Sequence, residues 1–375
     1  MLLSPIRLAP LAHPSTLLGV TLSSPKGQGT SLASLTALVL LMFTLAACGG
    51  GSSSSGTSSG SASGGTTLVT LDGSSTVFPI SEAVAEEFQK SNQNINVTVG
   101  ISGTGGGFQK FCRGEIDISD ASRPISASEV AACTKSGIEF IEMPVAYDGI
   151  AIAVHPKAAW ADTITVAELK TLWAPDAQGK VKKWNQIRAT WPDREIHLFG
   201  AGVDSGTYDY FTEAINGKAK ASRGDFTSSE DDNVLVQGIS SDELALGFLP
   251  FAYYEENAER LKLVPVDDEK ADNGAGPMLP SPDSIKTGTY QPLSRPVFIY
   301  VSKKAAERPE VQKFVEFYMK NAETLVREVN YVGLGPEIYG MVTVRFAKRH
   351  TGSVFSGQNT VGVTIDQLLN KERAQ

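Results

Sequence analysis

Apolar and polar positions alternate along the chain in a way that predicts strands followed by helices, three times over. Leu68-Val69-Thr70-Leu71 is a short apolar run, and Ile80, Val84 and Phe88 follow at helical spacing. Pro79 lies where a first helical turn would begin, a position that does not need its missing N–H. Ile95, Val97, Val99 and Ile101 alternate with Asn96, Thr98 and Gly100, the period of a strand, and Phe108 and Phe111 open another helical face. Ile196 to Phe199 leads into Tyr208, Phe211 and Ile215, with Gly217 as the expected C-cap. The turns between these elements are rich in Ser, Thr and Gly: 72–78, 102–107 and 200–207. A helix start offers unpaired N–H groups and the positive end of its dipole, so such turns suit an oxyanion. A Ser or Thr that only caps its own helix explains any one of them equally well. Three in one chain point to a shared anion.

The N-terminal pattern is different. Residues 32–47, LASLTALVLLMFTLAA, carry no charge, which is short for a span of about 20 apolar residues and suits a secretory signal. Leu45-Ala46-Ala47-Cys48 resembles the bacterial lipobox, so residues 1–47 are expected to be a signal peptide and Cys48 the lipidated residue. Fifteen of the seventeen residues at 49–65 are Gly or Ser, which makes 48–66 an anchor and flexible tether with a reach of roughly 20–25 Å. In an exported protein the two other cysteines, Cys112 and Cys133, read as one disulfide, with two unpaired buried thiols as the alternative.

Charge and motifs narrow the chemistry. The 375 residues carry 33 Lys+Arg against 41 Asp+Glu, a net charge of −8. Without residues 1–47, which hold only Arg7 and Lys26, the balance is −10. A nucleic-acid partner is not expected, because phosphate backbones are held by a basic surface. There is no GxxxxGK[ST], no GxSxG around a serine, and no Cys/His cluster with metal-ligand spacing. His13, His155, His197 and His350 are scattered. Neither catalysis, a metal nor a cofactor is expected. The RGD triplet at 223–225 reads as a chance turn.

Several segments in one order carry a resemblance: GSSTVFPI (73–80), SGTGGGF (102–108), GEIDISDASRPI (114–125), PVAYDGIAIAV (144–154), DSGTYDYFTEAI (204–215) and SEDDNVLVQGI (229–239). Together they resemble the phosphate-binding lipoproteins of bacterial ABC transporters, the cyanobacterial type above all. The resemblance runs from about Leu68 to about Gly340. It implies a two-lobed α/β periplasmic-binding fold of type II, with mixed sheets flanked by helices and two crossover strands as the hinge. Lobe 1 would be 67–150 plus 296–375 and lobe 2 would be 151–295. The outward crossover is expected at 147–154 and the return at 295–301, with an amphipathic helix after Pro309.

It also implies a site. Ser75, Thr76 and Val77 fall in the first loop, Ser102 and Thr104 in the second, and Ser205, Gly206 and Thr207 match the Ser-Gly-Thr of the opposite lobe. The family's better-studied members place an Arg four residues before that Ser, where this chain has Ala201. Arg123 is therefore expected to supply the guanidinium, a group that binds phosphate oxygens bidentately and keeps its charge when desolvated. A carboxylate that accepts a phosphate proton would reject fully ionised sulfate. Asp120, Asp148 and Asp204 are the candidates, and Asp120 is the one selected. The implied function is phosphate capture at the envelope, on the periplasmic face, by a lipid-anchored monomer that serves a permease. Another oxyanion (sulfate, molybdate, a phosphonate) or a sensing role without transport is the alternative.

Overall fold

The computed structural model describes residues 67–271, 273–355 and 361–374. The expected signal peptide, the lipidated Cys48 and the Gly/Ser tether lie outside the described residues. Among the described residues no helix is long and apolar enough to cross a membrane.

The first two strand–turn–helix units are β1 (Thr67–Gly73) with α1 (Phe78–Ser91), and β2 (Ile95–Ile101) with α2 (Gly103–Cys112). Then come β3 (Ile118–Ala121), α3 (Ala127–Lys135) and the long β4 (Phe140–Val154). A short β5 (Ile164–Thr165) and α4 (Val166–Trp173) precede the third unit, β6 (His197–Ala201) with α5 (Gly206–Asn216). Next are β7 (Thr227–Ser229), α6 (Asp232–Ser240), β8 (Ala245–Pro250), α7 (Phe251–Glu255), β9 (Lys262–Leu263) and β10 (Val266–Asp267). The chain closes with α8 (Pro282–Thr287), β11 (Ser294–Ser302), α9 (Pro309–Glu328), α10 (Pro336–Ala347) and α11 (Ile365–Arg373).

Local chemistry sets these bounds. Pro79 lies in the first turn of α1, and Pro309 starts α9, whose Val311, Phe314, Val315 and Tyr318 are buried. Capping boxes open α3 (Ser126, Glu129) and α4 (Thr165, Glu168), each satisfying two orphan backbone groups. Gly217 ends α5 in the left-handed region, φ 79°. Arg223, first of the RGD triplet, is buried and pairs with Asp225.

The strands pair in the order β2-β1-β3-β11-β4-β8-β6-β7, with β9 also on β4. Pairs β1/β2, β1/β3, β6/β8 and β6/β7 are parallel, while β11 runs antiparallel to both β3 and β4. One strand joins the two halves of this sheet: Phe140–Gly149 of β4 pair with β11, and Ile150–Val154 pair with β8. The outward crossover is expected at 147–154, and the strand begins earlier, at Phe140. Glu142 is buried in the strand, accepting hydrogen bonds from Tyr300 Oη (2.6 Å) and Val354 N (2.8 Å). Pro144 lies where the register with β11 shifts, between Val297 and Phe298. A bulge is a position that tolerates a residue without an N–H.

Cys112 at the end of α2 and Cys133 in α3 form a disulfide, 21 residues apart, so the alternative of two free thiols is excluded. A loop of that size stabilises by roughly 3 kcal/mol in the chain-entropy account.

Candidate oxyanion-binding site

Three helix starts are tied together by polar contacts. The turn 74–77 precedes α1, Ser102 precedes α2 and Ser205 caps α5. Thr76 Oγ1 lies 3.0 Å from Thr207 Oγ1. Thr104 Oγ1 lies 3.2 Å from Ser122 Oγ and accepts from Ser122 N at 3.1 Å. The Gly105 N–H of α2 donates to the carbonyl of Asp204 at 2.8 Å, which docks the second turn on the loop before α5. The Ser75 carbonyl accepts from Tyr253 Oη at 3.1 Å. Helix starts converging in this way add their positive ends at one place.

A guanidinium occupies the centre of the cluster, and it belongs to Arg295. Its Nη2 donates to Thr207 Oγ1 (2.8 Å), Thr76 Oγ1 (3.3 Å) and Asp148 Oδ2 (2.9 Å). Nε also reaches Asp148 Oδ2 (3.2 Å), and Nη1 donates to the Gly206 carbonyl (3.0 Å). The Arg295–Asp148 pair is essentially fully buried, with side-chain exposures of 0% and 1%. The two residues stand directly opposite each other in the β4/β11 ladder, so the pairing of two apolar strands places the charges in contact. Tyr210 lies with its ring centroid 5.7 Å from the guanidinium carbon and donates its hydroxyl to the Ser294 carbonyl. Burial pushes the Asp148 carboxyl up to about 6, against the downward pull of Arg295. It therefore remains ionised at neutral pH and holds the arginine in place.

Arg123, expected as this cation, is committed elsewhere. It forms a two-pronged bond with Glu129, with Nη1–Oε2 and Nη2–Oε1 both 2.8 Å, and its Nε donates to Asp209 Oδ2 at 2.7 Å. Two carboxylates already surround the guanidinium in this structure, and no contact joins it to Thr76, Thr207 or Gly206. It ties the loop after β3 to α5 instead. Asp120 also faces away from the cluster: it receives Ser81 Oγ at 2.9 Å under α1, beside Tyr318. Burial pushes its carboxyl up to about 8. Ser102 donates to Asp72, and the Val77 N–H is used on the Ser74 carbonyl (3.2 Å) with its side chain in the core. Thr76, Thr207 and Arg295 are brought together, as are Thr104, Ser122 and Gly206, while Ser205 caps its own helix and Ser75 meets Tyr253. Ser122 and above all Arg295 were not selected from the sequence. The available signal was a lone Arg opening the apolar run 295–301, opposite a lone Asp in the other crossover strand.

Gly206 is required by this closeness. A Cβ there would stand 2.4 Å from Ser122 Oγ and 2.5 Å from Thr104 Oγ1. Gly206→Ala is expected to force the two loops apart at about 1–3 kcal/mol, the usual cost of overpacking. Ligand titration should show affinity falling by roughly 10–100-fold.

A mixed sheet flanked by helices, with helix starts gathered about a buried arginine, defines the periplasmic-binding-protein fold with a polar ligand cluster between the halves of its sheet. The chain belongs to the PBP superfamily, whose domain model matches residues 55–322. It is 53% identical over 305 residues to protein SphX of Synechococcus elongatus, covering 81% of this chain and 89% of that one. It is 36% identical over 271 residues to phosphate-binding protein PstS of Staphylococcus saprophyticus, covering 72% and 81%. Among solved structures, a possible phosphate-binding protein from Planctomyces limnophilus is 46% identical, with a TM-score of 0.57 over 76% of this chain and 99% of that one.

Proposed function

We propose that this chain captures inorganic phosphate in the Arg295 cluster and passes it to the permease of an ABC importer. The observation that carries the reading is the buried Arg295 guanidinium, which faces hydroxyls supplied by helix starts on both halves of the sheet. The likeness to a phosphate-binding PstS protein agrees with it. Thr76, Thr207, Ser75, Thr104, Ser122 and Ser205 supply hydroxyls, Gly206 allows close backbone approach, and Arg295 supplies the charge. Hydrogen bonds to a charged partner contribute about 1.5–3 kcal/mol each, so a handful suffices for tight capture.

Residues 67–150 with 296–375 form one lobe and 151–295 the other, and β4 and β11 are the hinge on which they close. Closure gives the permease a shape that reports occupancy. Lipidation at Cys48 and the tether hold the protein, as a monomer, on the periplasmic face of the envelope. The role is binding without catalysis.

Calorimetric titration of the purified protein with phosphate and with sulfate tests the reading. Phosphate is expected to bind tightly and sulfate weakly. Absence of any heat with phosphate sinks it, and tighter binding of sulfate would move the assignment to another oxyanion.

A further inference from the structure

We infer that the C-terminal segment, Val361 to Arg373, is a strap that joins the two lobes across the hinge, favours their closed arrangement and so slows release of the ligand. This rests on the lobe division and the phosphate reading above. The first residues of the segment meet the ligand cluster. The Gly362 N–H donates to Tyr210 Oη at 3.3 Å. Tyr210 in turn donates to the Ser294 carbonyl, and its ring lies beside the Arg295 guanidinium. The Val363 carbonyl accepts from Tyr147 Oη at 2.9 Å, and Tyr147 immediately precedes Asp148 in β4. Neighbours of both members of the Arg295–Asp148 pair are thus held by two successive residues of the segment. Thr364 then packs on lobe 2: a Cβ at Gly288, just after α8, would stand 2.8 Å from Thr364 Cγ2.

The other end is fixed to lobe 1. A capping box of Thr364 and Gln367 starts α11, and Leu368 is fully buried. Glu372 meets Arg345 of α10 at 3.2 Å, with side-chain exposures of 1% and 4%. Arg373 pairs with Glu337 of α10 at 2.6 Å, and Lys371 lies over the Phe355 ring. Burial of Leu368 and the Glu372–Arg345 pair would hold a helix that served stability alone. The bonds to Tyr210 and Tyr147 are a second anchorage, placed where the lobes turn on each other.

Both anchorages are made at once in this structure, while Thr76 of lobe 1 meets Thr207 of lobe 2 and the Gly105 N–H meets the Asp204 carbonyl. They therefore belong to the closed arrangement. Rotation of α5 and α8 away from α10 must break one end of the strap or the other. Contacts made in one arrangement only shift the population toward it, and apparent affinity falls with the fraction of molecules that can close. The loss should lie chiefly in the dissociation rate.

The test compares the native protein, a chain ending at residue 360 and Tyr147→Phe. Calorimetry with phosphate gives affinity and stoichiometry, stopped-flow release gives the dissociation rate, and X-ray scattering gives the ligand-free radius of gyration. The shortened chain is expected to keep one site per molecule, to bind roughly 10–100-fold more weakly and to release phosphate correspondingly faster. Its ligand-free form should have the larger radius of gyration although it has fewer residues. A synthetic peptide of residues 361–375 should restore much of the affinity. Tyr147→Phe removes only the bond to Val363 and should weaken binding by about 2–10-fold, again through release; it decides the matter if the shortened chain does not fold. Native affinity in both variants overturns the inference, as does a fall in stoichiometry with unchanged affinity, which would make the segment a stabilising element only. Failure of the native protein to bind phosphate removes the phosphate reading instead, and the scattering comparison, which needs no ligand, then decides the strap: a radius no larger in the shortened chain overturns it.

Discussion

Replacing Arg295 with methionine is expected to abolish phosphate binding and to lower the unfolding free energy by about 3–5 kcal/mol, the cost of stranding one member of a buried ion pair. The stranded member is Asp148, whose carboxyl burial already pushes up to about 6 while the arginine is present. Without the guanidinium it must be protonated to stay inside. The two losses have different origins and can be separated. Arg295→Met combined with Asp148→Leu replaces both charges by apolar groups, an exchange that is often neutral for stability. The double variant should regain most of its denaturant resistance and still bind no phosphate. Phosphate affinity within tenfold of native in either variant would show that Arg295 does not hold the anion.

The fold was largely legible because its signals are local. Period-2 runs at 95–101 and helical spacing at Ile80, Val84 and Phe88 need no knowledge of the rest of the chain, and the three turns they bracket supply most of the hydroxyls of the site. What could not be read depends on strands meeting across long separations. Arg295 lies 147 residues from Asp148, and only the β4/β11 register puts them face to face. Arg123 looked suitable by its position after β3, yet Glu129 one turn into α3 and Asp209 on α5 already neutralise it. Asp120 was selected from a motif, but the side of β3 from which it projects, toward Ser81, is settled by the sheet and not by the motif. The acid excess of the chain is a poor guide to the proposed site, which would draw its attraction from helix ends, hydroxyls and one buried arginine.

Arg123→Ala should behave differently from Arg295→Met, and the contrast separates a residue that positions the site from one that binds the anion. Its guanidinium is mostly buried, and removing it leaves Asp209 and Glu129 without their shared cation. A cost of about 3–5 kcal/mol in unfolding free energy is expected. Asp209 lies in the first turn of α5, whose opening residues Gly206 and Thr207 meet Thr104, Ser122, Thr76 and Arg295. Loosening that turn should weaken phosphate binding by roughly 10–100-fold, the equivalent of about 1.4–2.8 kcal/mol, and should not abolish it. Arg295, the proposed ligand cation, is still present. A double-mutant cycle with Asp209→Ala supplies the second readout. If Arg123 acts through Asp209, the two substitutions should be non-additive by about 0.5–3 kcal/mol in stability and should share their effect on affinity. Lysine at 123 should rescue only part of the loss, since an ammonium cannot bond Glu129 in the two-pronged manner and reach Asp209 as well. Complete loss of phosphate binding in Arg123→Ala with native stability would return the role of ligand cation to Arg123, and Arg295 would then be a purely structural partner of Asp148.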